Sequence, residues 1–307
     1  MGVYMTTLLL ILSITFFILQ SVSMKFVKAD TLPQKMLIHG VFTLIAGIGM
    51  FFFLILSNEP FSLSKNTVLF GISFGFLFAF TILFYNLAIN SGPLSYTAFY
   101  FSSSMLLPTF FGLLFLKEEL RGTLLIAILL FLMAFYFLNV TKDSNKEVVS
   151  PAHGKQKKQW LFYCILTFIG NGCLAIVQKL HQQLQHGTEA SGLMLLGFTF
   201  ASLCYFIAYP IAKSKTGEVK FTTTSSVKQL KTNLLPILFL AAGSLLGNLL
   251  LTSLAGKIPS SYLFPLVQGS IILGITIIST VFFKEKLSLR GKIGIFLGVL
   301  AIVFINV

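Results

Sequence analysis

The sequence predicts an all-α integral membrane protein with ten transmembrane helices in two inverted five-helix repeats. Three observations predict it. Apolar residues make up 56% of the chain and charged residues 10%, against roughly 45–50% and about 25% in water-soluble domains. Ten apolar stretches reach the roughly 20 residues that a bilayer-crossing helix needs. Turn and charge signals recur at corresponding places in the two halves of the 307 residues.

A mean hydropathy of +0.90 leaves more apolar surface than a water-soluble fold can hide, so length here counts membrane crossings rather than soluble domains. The net charge of +13 does not point to nucleic acid, because the lysines fall between the apolar runs. Membrane lipids with anionic headgroups are the expected partners of those lysines. Cys164, Cys173 and Cys204 lie inside apolar runs, odd in number and without Cys-x-x-Cys spacing. They read as small buried hydrophobes, not as a disulfide framework or a metal site.

The predicted spans are 4–27, 35–57, 67–90, 94–116, 121–140, 159–180, 191–212, 233–256, 261–283 and 290–307. The first lacks the basic leader and small-residue cleavage site of a signal peptide and is expected to stay as a helix. Two breaks are short turn signals, Asn90-Ser91-Gly92-Pro93 and Lys257-Ile258-Pro259-Ser260, where Pro with Ser and Gly favours a tight reversal. None of the runs alternates as the strands of an outer-membrane barrel do. The longest central polar stretch carries Lys142, Lys146, Lys155, Lys157 and Lys158 with Pro151 and Gly154. It reads as a basic linker, 142–158, between a first repeat, 1–141, and a second, 159–307. A second polar segment, 213–231, joins spans seven and eight.

The repeat rests on matching landmarks. Phe115-Leu116-Lys117-Glu118-Glu119-Leu120 precedes Arg121-Gly122, and Phe283-Lys284-Glu285-Lys286-Leu287 precedes Arg290-Gly291. Span one ends near Lys25 and span six near Lys179. Five crossings are an odd number, so the second repeat enters the membrane from the opposite side. Many secondary transporters share this plan, with a site near the midplane between repeats. One side of the membrane receives Lys65, Lys117, Arg121, Lys179 and Lys257, and the other receives the rest of the 22 basic residues. The positive-inside rule then predicts cytoplasmic basic loops, the 142–158 linker included, and places both termini outside.

With these landmarks, the chain resembles the EamA-type members of the drug/metabolite transporter superfamily over nearly its whole length. In that family each five-helix repeat has a first helix ending in a short polar stretch and a Lys, and a fourth ending in Gly-Glu-x-Leu. Here Gln20 leads to Lys25, Asn171 leads to Lys179, and Lys117-Glu118 and Lys284-Glu285 hold the Gly-Glu position. The chain departs from the pattern in two ways: the Gly is Lys in both halves, and the usual Pro of helix four is Met105, with Pro108 nearby. The resemblance implies a plasma-membrane exporter or exchanger of small metabolites such as amino acids. It also implies cytoplasmic termini, against the charge count.

Polar side chains inside a membrane are costly and are expected to face protein or a water-filled path. The candidate solute-binding residues are Gln20 and Lys25 on span one, Tyr85 and Asn86 on span three, and Tyr100 on span four. Asn171, Gln178 and Lys179 on span six, Asn248 on span eight and Gln268 on span nine complete the set. Asn171 and Gln178 are seven apart, on one helix face. Interhelical packing, backbone bonding and snorkelling are the competing readings for these residues. Glu118 and Glu285 are candidate coupling or structural groups, with a loop anchor or ion pair as the plainer role.

All nine acidic residues fall in loops or at helix ends, which disfavours a proton pump built on a mid-helix carboxylate. Downhill transport, exchange, or coupling through Glu118 or Glu285 remains. Gly71-xxx-Gly75, Gly243-xxx-Gly247 and Gly294-xxx-Gly298 suit close helix packing. His181 and His186 read as a solvated polar loop. No Walker loop, catalytic triad or metalloprotease motif occurs, so neither an enzyme, nor a cofactor, nor a metal is expected. A monomer suffices for a pathway. A lipid or lipid-carrier flippase on the same fold is the alternative.

Overall fold

A computed structural model describes residues 2–57, 63–91, 94–119, 122–139, 155–215, 223–282 and 289–306. The described residues form twelve helices: α1 (Gly2–Phe26), α2 (Leu32–Ser57), α3 (Lys65–Ser91), α4 (Leu94–Ser103), α5 (Leu106–Phe115), α6 (Gly122–Asn139), α7 (Lys155–Leu184), α8 (Ala190–Lys215), α9 (Thr223–Thr232), α10 (Leu234–Ala255), α11 (Ser260–Phe282) and α12 (Leu289–Asn306). The described residues contain no strand. Seven of the helices are long and apolar enough to cross a bilayer. The chain is therefore an all-α, multi-pass membrane protein.

The expected fourth span is two helices. Pro108 has no N–H and would clash with the carbonyl four residues back, that of Ser104. That carbonyl accepts from Leu107 N at 3.0 Å instead, and Ser104 N and Met105 N reach back three residues, to Phe101 and Ser102. The helix ends there and restarts with Pro108 in the first turn of α5, where a missing N–H costs nothing. Helix α7 starts at Lys155, inside the expected linker, and α9 lies within the 213–231 polar segment.

The chain divides into two compact units, Met1–Leu83 with Val177–Lys257, and Phe84–Ile176 with Ile258–Val307. They do not follow the sequence halves, since each takes helices from both. In the first unit α2 packs on α8 and α1 on α10. Its core is aromatic: Phe42, Phe74, Phe78 and Phe198 are buried, with Phe78 edge-on to Phe198 at 5.1 Å and stacked on Phe74 at 5.8 Å. Glycine permits the approach of α3 to α8, because a Cβ on Gly75 would sit 2.5 Å from the Gly197 carbonyl and 2.9 Å from Phe200 Cβ.

In the second unit α6 packs on α12, and α5 on α11. Gly269 of α11 lies against the ring of buried Phe131 on α6, and Gly172 of α7 against Leu107 of α5. Outward faces are apolar in both units, as with Phe52 (57% exposed) and Phe76 (57%) in the first and Leu129 (52%) and Phe296 (63%) in the second. Water does not tolerate such continuous apolar faces, whereas lipid does.

Candidate functional site

In the first unit, buried amides gather where α7 meets α10. Gln178 donates from Nε2 to Asn248 Oδ1 at 3.2 Å and to Thr252 Oγ1 at 2.9 Å. Asn248 donates in turn to the Ser244 carbonyl at 2.8 Å. All four are buried, and Ser244 Oγ has no hydrogen-bond partner. Gln20 is buried on α1 beside α10, where a Cβ on Gly243 would lie 2.9 Å from Gln20 N and 2.7 Å from the Phe16 carbonyl. Ser13 donates to the Gly247 carbonyl at 3.0 Å along the same contact. The Gly243-xxx-Gly247 spacing thus brings α1 onto α10 and places Gln20 there. Lys25 and Lys179 match in sequence but not in setting: Lys25 is exposed, Lys179 buried.

In the second unit, polar groups gather at the α4–α5 break. Asn171 of α7 donates to Ser104 Oγ at 2.6 Å, and Ser104 donates to the Phe101 carbonyl at 2.5 Å. Tyr85 lies 4.7 Å from the Phe101 ring. Tyr100 stands edge-on to Trp160, whose Nε1 donates to Thr97 Oγ1 at 3.0 Å. Asn86 accepts from Asn90 Nδ2 at 2.9 Å, an intrahelical bond. Ser103 Oγ is buried without a partner, as is Gln268 Oε1 on α11. Of the ten candidates, the structure joins Gln178 to Asn248 in one unit and sets Asn171, Tyr85 and Tyr100 around one helix break in the other.

Glu118 is a helix anchor. Its carboxylate accepts Ser260 N at 2.7 Å and Ser261 N at 2.9 Å, capping the first turn of α11 from the segment that follows α5. Carboxylates are favoured there because the first N–H groups of a helix have no intrahelical acceptor. Two features aim it. Gly112 leaves room, since a Cβ there would lie 2.8 Å from Glu118 Cδ. Lys117 takes φ 54°, turning the chain after α5. That left-handed conformation is where glycine is preferred. Replacing Lys117 by Gly is expected to raise stability by about 1 kcal/mol, read as a higher melting temperature in detergent. Glu285 lies outside the described residues. Glu118, Glu119, Pro259 and Tyr262 line a cavity of about 420 Å³.

One expectation is overturned. His181 is not in a solvated loop but is fully buried on α7. It belongs to a polar cluster with Thr67, Gln182, Gln185 and Glu189 that the candidate list lacked. The available signal was its three-residue spacing from Gln178, which places both on one side of a helix. His186 is exposed, as a loop position should be. No group of three or more His, Cys, Asp or Glu able to hold a metal occurs among the described residues.

Fold and polar interior together define a class, that of all-α multi-pass membrane proteins with buried hydrogen-bonding side chains. No family model and no curated protein matches the chain. Solved structures do match, and one, a crystal structure of a protein, superposes with a TM-score of 0.72 over 98% of this chain and 98% of that chain, at 13% identity. At that identity the likeness establishes the fold alone.

Proposed function

We propose that this chain is a secondary transporter of the EamA type in the drug/metabolite transporter superfamily, exporting or exchanging small metabolites such as amino acids by alternating access. One observation carries the reading: buried polar atoms with spare hydrogen-bonding capacity sit beside amides within apolar helices. Ser244 Oγ accompanies the Gln178–Asn248 pair, and Ser103 Oγ accompanies Asn171 and Ser104 at a broken helix. Buried polar groups are normally satisfied, and in a membrane helix an unspent one marks a place for a polar solute or water. Discontinuous helices are a recurrent feature of transporter sites.

Helix pairing supports the inverted repeat. α2 with α8, α5 with α11 and α6 with α12 each join elements at corresponding places in the two sequence halves. Ten crossings follow if α4 and α5 count as one interrupted span. The basic loops, the 142–158 linker included, then lie in the cytoplasm and the protein resides in the plasma membrane.

Proteoliposomes loaded with labelled amino acids and metabolites test the reading. Efflux of specific solutes is expected, and Gln178→Ala or Gln268→Ala in a folded variant should cut it about tenfold, the worth of one lost hydrogen bond in a dry site. Retention of every solute would sink the metabolite reading. Lys179, a buried cation, favours an anionic headgroup in that case, and labelled lipid becomes the substrate to test.

A further inference from the structure

The α7–α8 turn holds a cluster that the transport reading does not use. His181 is fully buried and both ring nitrogens are engaged: Nε2 lies 2.9 Å from Thr67 Oγ1, and Nδ1 lies 3.0 Å from Gln182 Nε2. The Gln182 amide is oriented by its second bond, because Nε2 also donates to the Thr188 carbonyl at 3.1 Å, and a carbonyl can only accept. Nδ1 of His181 must therefore be the acceptor, and the proton of the neutral ring sits on Nε2, donated to Thr67. Thr67 donates onward to Glu189. The same carboxylate oxygen accepts Ser64 N at 3.1 Å, Ser64 Oγ at 3.0 Å and Gln185 Nε2 at 3.3 Å.

Four donor atoms thus converge on one oxygen of Glu189, and its backbone takes φ 57° to place it there. Strain of that kind in a non-glycine residue is kept where the surroundings impose it. Burial works against charge on this imidazole, and Glu189, reached through Thr67, is the charge that offsets it. The other charged or titratable groups nearest to the cluster along the chain are Lys65 opening α3, Lys179 on α7 and His186 in the turn, with Lys257 next to Gly256, whose Cβ position lies 3.2 Å from Gly187 Cα.

We propose that His181, Thr67, Glu189 and Gln182 form a proton-binding site whose occupancy switches the α7–α8 turn. A proton from water adds to the Nδ1 lone pair, and no bond breaks. Glu189, through Thr67, supplies the counter-charge to the imidazolium. Nδ1–H then faces an amide donor, a contact that cannot persist. Gln182 rotates and presents Oε1, which is buried without a hydrogen-bond partner in the neutral state. The rotation removes Nε2 from the Thr188 carbonyl and releases the turn that joins α7 to α8. The site thus has two arrangements, each satisfied for one protonation state, as a switch requires. If the chain is the transporter proposed above, and only on that reading, the proton is its coupling ion, bound without a mid-helix carboxylate.

Nitrogen-15 NMR of histidine and glutamine side chains in nanodiscs, from pH 4 to 9, tests the site. One imidazole signal, absent from His181→Gln, is expected to be the Nε2–H form at pH 8 and to become imidazolium as pH falls. A Gln182 amide shift should follow with the same midpoint. Glu189→Gln should lower that midpoint by at least about one pH unit, the effect of a nearby charge in a medium less polar than water. Thr67→Val, nearly isosteric, should lower it in the same direction, and Thr67→Ser should restore it. A His181 signal that stays neutral throughout, a midpoint unmoved in both Glu189→Gln and Thr67→Val, or a static Gln182 amide would overturn the proposal. The titration needs no solute, so a chain that transports nothing refutes the proposed function and leaves this site standing.

Discussion

Replacing Gly75 by Ala is expected to be among the most damaging single changes in the first unit. The added Cβ would meet the Gly197 carbonyl at 2.5 Å, Phe200 Cβ at 2.9 Å and Ala201 N at 3.0 Å. Two of these three atoms are backbone, so no rotamer change relieves the collision and α3 must move away from α8. That movement opens the contacts of Phe74 and Phe78 with Phe198 between them. Overpacking of this kind costs typically about 1–3 kcal/mol, and the upper end applies where backbone blocks the new atom. Gly122→Ala is the control, because nothing lies within 4 Å of its Cβ position. It should be neutral or slightly stabilising through helix propensity. Thermal unfolding in one detergent, followed by circular dichroism, reads both. Equal melting temperatures for Gly75→Ala and Gly122→Ala would contradict the close approach.

Glu118→Ala should have a comparable effect on the second unit. It removes two charge-assisted bonds, to Ser260 N and Ser261 N, and leaves both donors at the start of α11 without an acceptor. Hydrogen bonds to a charged group contribute about 1.5–3 kcal/mol each when buried, and capping substitutions cost about 0.5–2 kcal/mol. Since Glu118 is only partly buried, about 2 kcal/mol is expected for the pair. Glu118→Gln keeps one acceptor oxygen but turns an amide donor toward the other N–H, so it should recover less than half. The single Trp160 lies in the same unit and reports the loss by fluorescence on heating. If Glu118→Gln matched the parent chain while transport fell, the carboxylate would act in coupling and not as an anchor.

Much of the architecture is legible in the sequence. Composition and run length alone require an all-α membrane protein, because lipid must cover the apolar excess and only helices or closed barrels satisfy their backbone there. Pro108 signalled an irregularity, and Gly71, Gly75 and Gly243 signalled close packing, since those residues act through backbone sterics that operate wherever the chain goes. Glu118 was legible as a helix-end residue, but its partner was not. Ser260 is 142 residues away, and only the packing of α5 on α11 brings them together.

The buried histidine shows the same division. The stretch around His181 and His186 reads as polar and therefore as loop, because sequence alone reports polarity and not the company that polarity keeps. Folding carries α7 on to Leu184, so that His181 is buried against Thr67, which links it to Glu189. The division into two units was likewise invisible in the halves of the chain. Local physics acts on neighbours in sequence and fixed what the helices are. The choice among partners for each apolar face depends on side-chain fit between distant segments, and only the tertiary structure decided it.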